Sequence, residues 1–420
     1  MPDWANDPAD ETHLRLYVPD EGWKRYADKL NDEDGKVEAF GAKRLVESAF
    51  LNALNATNLL VLTGSGSSLA AKNAAERPQP VGMGDLWAAV KAQVGDDAFD
   101  AICAMFPNAP VNENIEKLLT LCKLFLELNQ TSDGPEATAV SKFVKDAEEA
   151  ILTKVDFVDA ATTLDAHATV IQRIGRRGIR KPRARFFTTN YDLCFEEAAR
   201  RHRFTIIDGF SHALDQTYDR GNFDFDIVRR EQGKDAPDYI ENVFHLYKLH
   251  GSVDWRRIDG EIYRSKGPRG DPILIYPRSS KYQESFEAPY LDMVGALQAS
   301  LREPDTALII SGFGFNDDHL SRPILAAMEA NMSMRLLICD PAFLAAEDLA
   351  LDDHVVDPEL KTDNAYLKAF HRLAKGGDPR VHLLNGRFSD MAKALPDLVG
   401  ETDRERHIAR VRSLRDEAAP

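Results

Sequence analysis

From Arg185 onward the chain is punctuated by short apolar runs: RFFTTN, FTIIDG, VFHLYKLHG, PILIYP, TALIISGFG, MRLLICDP and VHLLNG. Several are apolar along their whole length instead of at alternate positions. A strand of that kind has both faces covered, the condition of a parallel strand with helices on either side. An earlier run, NLLVLTGSGSS (Asn58 to Ser68), ends in glycines and serines. Helical stretches separate many of these runs. The economical fold is therefore α/β: a doubly wound, mostly parallel Rossmann-like sheet.

One block interrupts this pattern. From residue 86 to 180 the spacing is helical, with apolar residues three and four apart in DLWAAVKAQV, NIEKLLTLCKLFLEL and VSKFVKDAEEAIL. It reads as a helical subdomain inserted into the sheet domain, which takes 56–85 and 181–400. The segment 1–55 is charged, with helical spacing in KVEAFGAKRLVESAFLNAL, and is expected to be helical. Residues 401–420 are expected to form a charged C-terminal helix, with Ile408, Val411 and Leu414 at three-residue steps able to seat on a neighbour.

At 420 residues and 44% hydrophobic content the chain has ample material for a large core. The formal charge of -16 argues against a protein that coats nucleic acid by neutralising phosphates. A local cationic run, RIGRRGIRKPRAR (Arg173 to Arg185), reads as a solvated helix end and loop ahead of a phosphate-binding surface. The opening MPDWANDPADE is acidic and lacks the apolar core of a secretory signal. No run approaches the roughly 20 apolar residues of a membrane span. Cys103, Cys122, Cys194 and Cys339 are scattered, with no Cys-x-x-Cys pair, so neither a zinc ribbon nor a disulfide framework is indicated. The expectation is a cytoplasmic protein without a metal.

Ligands of doubly wound sheets bind beyond the carboxyl ends of the strands. Four strand ends here share a composition. In LTGSGSS, Gly64 and Gly66 allow close backbone approach, and Ser65 and Ser67 add hydroxyls near a helix start. The turn departs from G-x-G-x-x-G, because Leu69 stands at the third glycine position. In TTNYD, Thr189 and Asn190 follow the strand directly. Asn190 offers both donor and acceptor, and Asp192 reads equally as a cap for the next helix or as a functional acceptor. In YKLHGSVDW, His250 is either a hydrogen-bonded core residue or a general base. In IISGFGFNDDHL, Gly312 and Gly314 again permit close approach around Phe313, and Asn316, Asp317 and Asp318 are placed to cap a helix.

Taken together and in order, TGSGSS (63–68), TTNYD (188–192), LHGS (249–252) and GFGFND (312–317) resemble the sirtuin superfamily. The closer likeness is to its bacterial sirtuin-like branch of NAD-hydrolysing defence proteins, and NIEKLL (114–119) is similar to that branch too. The resemblance covers about residues 50–400. It implies that Asn190 and His250 are catalytic. It further implies that Gly64, Ser65, Gly66, Ser67, Thr189, Asp192, Gly312, Phe313, Gly314 and Asp340 of LICDP face NAD, the substrate. A chain of this size looks most like the sirtuin-like subunit that partners a HerA-type hexameric ATPase in anti-phage defence, and a homo-oligomer is expected.

Two departures bear on the activity. The Cys-x-x-Cys module that deacylases of this family carry after Leu-His-Gly is missing from SVDWRRIDGEIYRSKGPRGD, and AAKNAAERPQP replaces their Asp-Phe-Arg element. The expected activity is therefore hydrolysis of the nicotinamide–ribose bond of NAD. The alternatives are a non-catalytic NAD or ADP-ribose sensor that regulates a partner, and a zinc-independent deacylase.

Overall fold

Ten strands make the central sheet of the computed structural model: β1 Arg15–Val18, β2 Gly22–Arg25, β3 Asn58–Thr63, β4 Arg185–Thr188, β5 Thr205–Ile207, β6 Val243–Lys248, β7 Thr306–Ser311, β8 Arg335–Cys339, β9 His354–Val355 and β10 Val381–Asn385. Their order across the sheet is β9-β2-β1-β10-β8-β7-β3-β4-β6-β5. Every neighbouring pair from β10 to β5 is parallel. Beyond β10, the strands β1, β2 and β9 add on antiparallel. The structure describes residues 14–397, apart from 32–35, 79–81, 108–110, 130–133, 176, 178–180, 231–237, 267–269, 275–287, 350–353 and 356–358. The helix expected over 401–420 lies outside the described residues.

The parallel part is the doubly wound sheet expected from the apolar runs. Leu60 and Leu62 of β3 enter one core, while Leu59 and Val61 enter the other. Leu308 and Ile310 of β7 alternate with Ala307 and Ile309 in the same way. Both faces are apolar because helices cover both. On the first face lie α8 Tyr290–Ser300, α9 Asp318–Ala330 and α10 Ala365–Lys375; on the second lie α1 Lys43–Leu54, α6 Asp165–Ile174, α7 Cys194–Arg201 and α11 Phe388–Ala394. From β3 the chain builds β4, β5 and β6 on one side, then returns to place β7 on the other. This reversal makes the carboxyl ends of β3 and β7 a topological switch point, where such sheets open a crevice.

The helical block sits between β3 and β4. Its helices α2 Met83–Val94, α3 Asp96–Ala104, α4 Ile115–Leu128 and α5 Pro135–Val155 share a core that includes Leu86, Phe99, Leu118, Phe143 and Ile151. Within the block that core ends at Val155, and it continues into Tyr191, Leu193, Val253 and Leu274. Although α6 falls within 86–180, its Val170, Ile171 and Ile174 pack on the sheet with Phe186 and Phe195. Helical spacing shows that α6 has an apolar stripe but not which surface that stripe covers.

Two other readings are corrected. Among the described residues of the segment 1–55, α1 alone is helical, and β1 and β2 are strands of the main sheet. They cover the β10 edge, and Trp23, wholly buried, packs against Tyr17 and Phe343 at ring separations of 5.3 and 5.1 Å. Strands of four residues among charged neighbours are too short to show a period. PILIYP contributes to Asp271–Leu274, which joins Gly251–Ile258 and Glu261–Arg264 in a separate three-stranded antiparallel sheet.

The cationic run is structural where it is described. Arg173 donates to the Ala392 and Lys393 carbonyls at the end of α11 (3.1 and 3.0 Å), and Arg177 donates to those of Ala56 and Thr57. Arg183 pairs with Asp226 at 2.9 Å and Arg185 with Glu303 at 2.8 Å. Among the described residues no helix is long and apolar enough to cross a membrane.

Candidate functional site

Four parallel strands, β7, β3, β4 and β6, end on one rim, and the residues that follow them line a cavity of about 450 Å3. Gly64 and Ser65 come from β3, Thr189, Asn190, Tyr191 and Asp192 from β4, His250 from β6, and Phe313 and Gly314 from β7. The other wall belongs to the inserted helices: Met83 and Leu86 of α2, Asn114 and Glu116 at the start of α4, and Val155.

The loop after β4 is held from below. Lys248, 2% exposed at the end of β6, reaches the carbonyls of Tyr191 and Asp192 and pairs with Glu196 at 3.0 Å. Val253 N–H donates to the Tyr191 carbonyl (3.0 Å), and Thr189 N–H to the Thr63 carbonyl (3.1 Å). A buried ammonium is tolerable only with such a set of acceptors.

Within that loop Asn190 is 8% exposed. Its Nδ2 donates to the Gly64 carbonyl (2.9 Å), Ser67 Oγ (3.0 Å) and Ser68 Oγ (2.8 Å). A carbonyl only accepts, so the Gly64 contact identifies the amide nitrogen and leaves Oδ1 as the acceptor atom. Ser68 in turn donates to Asp192 Oδ2 at 2.5 Å. The two readings of Asp192 both hold in geometry: Oδ1 accepts from Cys194 N–H at 2.9 Å and starts α7, while the residue also lines the cavity.

His250 is 3% exposed, and its Nε2 is buried without a hydrogen-bond partner. Burial, with His319 beside it, holds its pKa well below the ordinary imidazole value. Burial favours the neutral form of the ring. Its Nε2 makes no hydrogen bond, while the ring is as buried as that of a core residue.

The glycines divide by role. Gly66 N–H donates to the Gly312 carbonyl at 2.9 Å, and a Cβ on Gly66 would lie 2.7 Å from Gly312 Cα. Gly312 has φ of +73°, and a Cβ there would lie 2.5 Å from Ser67 N. These two glycines let the β3 and β7 turns lock together, and neither lines the cavity. Ser67 stands behind the wall as well, donating to the Gly64 carbonyl at 2.8 Å. Asp340, after β8, is one strand beyond β7 and also off the cavity. Its Oδ1 accepts from Ala342 N–H (2.8 Å), and burial raises its pKa to about 6. The structure thus brings Gly64, Ser65, Thr189, Asn190, Asp192, His250, Phe313 and Gly314 to one cavity, and leaves Gly66, Ser67, Gly312 and Asp340 outside its lining.

Several lining residues were not singled out as site residues. Ser68 belongs to the TGSGSS motif and was passed over for its neighbours. Asn316 and Asp317 read only as caps, yet both face the cavity, and Asp317 stands at the α9 N-cap position without a side-chain cap bond. Glu116 accepts from Tyr191 Oη at 3.1 Å, and Asn114 caps α4 by accepting from Lys117 N–H at 2.9 Å. The NIEKLL motif was their one signal. Among the described residues the lining includes Glu116, Asp192 and Asp317 but no Lys or Arg, so an anionic ligand group here meets backbone N–H groups and hydroxyls. Among the described residues no three His, Cys, Asp or Glu are gathered as a metal site would require.

No curated protein matches the chain. A family model described as SIR2-like domain matches residues 184–358, less than half of the chain but including Asn190, His250 and the β7 turn. That match supports a sirtuin-like family and NAD-related activity.

Proposed function

We propose that the protein hydrolyses NAD at its nicotinamide–ribose bond, giving nicotinamide and ADP-ribose. The observation that carries this reading is the convergence of the Gly64–Ser65 turn, Asn190 and an unpartnered, neutral His250 on one cavity at the switch point. When the bond breaks, its electron pair stays with the nicotinamide nitrogen, neutralising the pyridinium, and oxocarbenium character develops at the ribose carbon. A cavity lined by three acidic side chains and, among the described residues, by no Lys or Arg favours the cationic character that develops at the ribose carbon. The Asn190 Oδ1 is the acceptor left for a ribose hydroxyl or the attacking water, and His250 takes the proton. General-base help of this kind is worth about 10²–10⁴-fold. The α4 wall, with Glu116 and Asn114, limits water entry.

The setting we propose is depletion of NAD in anti-phage defence, in the cytoplasm, restrained or released by self-assembly and by a HerA-type ATPase partner. That proposal rests on the sequence resemblance.

Chromatographic measurement of nicotinamide released from NAD, with and without the partner, tests the activity. Asn190→Ala and His250→Ala should abolish it. Wild-type turnover in both variants would sink the assignment. Tight NAD binding without release under any of these conditions would favour the sensor reading instead.

A further inference from the structure

We propose that His319 is a proton-relay residue that takes the proton of NAD hydrolysis from His250 and delivers it to the solvent face of α9; this rests on the hydrolase reading of the site. The reaction must export a proton. Water adds to the ribose carbon, the C–N bond breaks with its electrons going to nicotinamide, and NAD+ plus water yields nicotinamide, ADP-ribose and one H+. His250 receives that proton while 3% exposed, so it needs an acceptor before the next turnover.

Three carboxylates line the same cavity, those of Asp192, Glu116 and Asp317. Asp192 has both oxygens engaged, by Cys194 N–H and Ser68 Oγ, and Glu116 accepts from Tyr191 Oη. The Tyr191 ring lies 6.5 Å from that of His250. The His319 ring is closer, at 5.7 Å and tilted by 34°. Nε2 of His319, like that of His250, is buried without a hydrogen-bond partner. Two orphaned imidazole nitrogens side by side are costly unless they serve a purpose.

His319 also reaches the other side. It belongs to the first turn of α9 and lines a groove of about 900 Å3 between α8 and α9, together with Asp318, Arg322 and Arg302. His250 lines the inner cavity and His319 this outer groove, so the pair spans the wall between them. The remaining groups facing His319 are Tyr290 of α8, with its ring at 6.0 Å, and Asp318, which accepts from Tyr366 Oη at 3.0 Å. Asp317 lines the inner cavity beside them. Burial lowers the pKa of His319 to about 4, with Asp318 opposing. Both rings are thus neutral at pH 7, and neither retains a proton.

The test is steady-state NAD hydrolysis by the full chain, with its pH profile, in the wild type and in His319→Asn and His319→Gln. The relay predicts a kcat lower by about tenfold at neutral pH, an unchanged KM and an unchanged unfolding midpoint. It also predicts recovery of kcat at alkaline pH and with added imidazole, because hydroxide or a free base then accepts the proton. A wild-type kcat and pH profile in both variants would overturn the relay. So would a loss that neither alkali nor imidazole restores, since that marks a structural role. An active wild type with a dead His250→Ala and an unaffected His319→Asn leaves the hydrolase reading standing and removes only the relay. If the wild type releases no nicotinamide, the hydrolase reading falls and the relay with it.

Discussion

Asn190 shows how one side chain joins two turns. Its amide nitrogen serves three acceptors on the β3 turn. Asn190→Ala should lower stability by about 1–3 kcal/mol, because the buried Gly64 carbonyl and the Ser67 and Ser68 hydroxyls all lose a donor that joins the two turns, and should abolish nicotinamide release. Asn190→Asp cannot donate to that carbonyl and should fare no better; denaturant unfolding and the nicotinamide assay read both effects. Below the loop, Lys248→Met strands the Asp192 carbonyl and Glu196 and leaves the Tyr191 carbonyl to its Val253 N–H donor. It should cost roughly 3–5 kcal/mol, and an unfolding midpoint equal to the wild type would contradict this account. Asn190 and His250 were legible as candidates from residue type and strand-end position. That Asp192 does two jobs was not, since its second partner, Ser68, is 124 residues away in the chain.

Among the elements, α4 matters most to the site. Its first turn carries Asn114 and Glu116 into the cavity wall. Glu116→Gln keeps an acceptor for Tyr191 Oη, whereas Glu116→Ala frees the ring and opens the wall. Glu116→Ala should therefore raise KM for NAD several-fold while Glu116→Gln stays near the wild type, and equal KM values for the two would refute a role for this contact. The helical period made α2, α4 and α5 readable, because long amphipathic stretches repeat their signal. β1 and β2 gave no such signal at four residues each. Their weight shows in Trp23, whose replacement by Ala should cost about 3–5 kcal/mol, measurable as a lowered unfolding midpoint.

At the scale of the whole molecule, buried neutral histidines set the response to acid. Burial lowers His167 and His245 to about 4, against an ordinary value of 6.5. In the unfolded chain each binds a proton near the ordinary value, and in the folded chain only near 4. Their stabilising contribution is complete above about pH 6.5 and is lost as pH falls from there towards 4. For His167, wholly buried against Phe195 and Phe388, the loss amounts to roughly 3 kcal/mol. Thermal unfolding should therefore show a clear drop between neutral and mildly acidic pH, smaller in His167→Leu. An identical drop in that variant would remove His167 from the explanation.

Most of the fully apolar runs marked, by themselves, strands of a parallel sheet covered on both faces, since double burial removes alternation, though PILIYP belongs to the separate antiparallel sheet. Strand-end chemistry located the Gly64 turn, Asn190 and His250 on one rim for the same reason: parallel strands end together. Only the tertiary structure decided which of the motif residues reach the cavity. Gly66 and Gly312 are used against each other, Asp340 falls one strand too far, and Ser68, Glu116 and Asp317 face inward. Sidedness depends on how turns from distant strands pack, and no local sequence period records that.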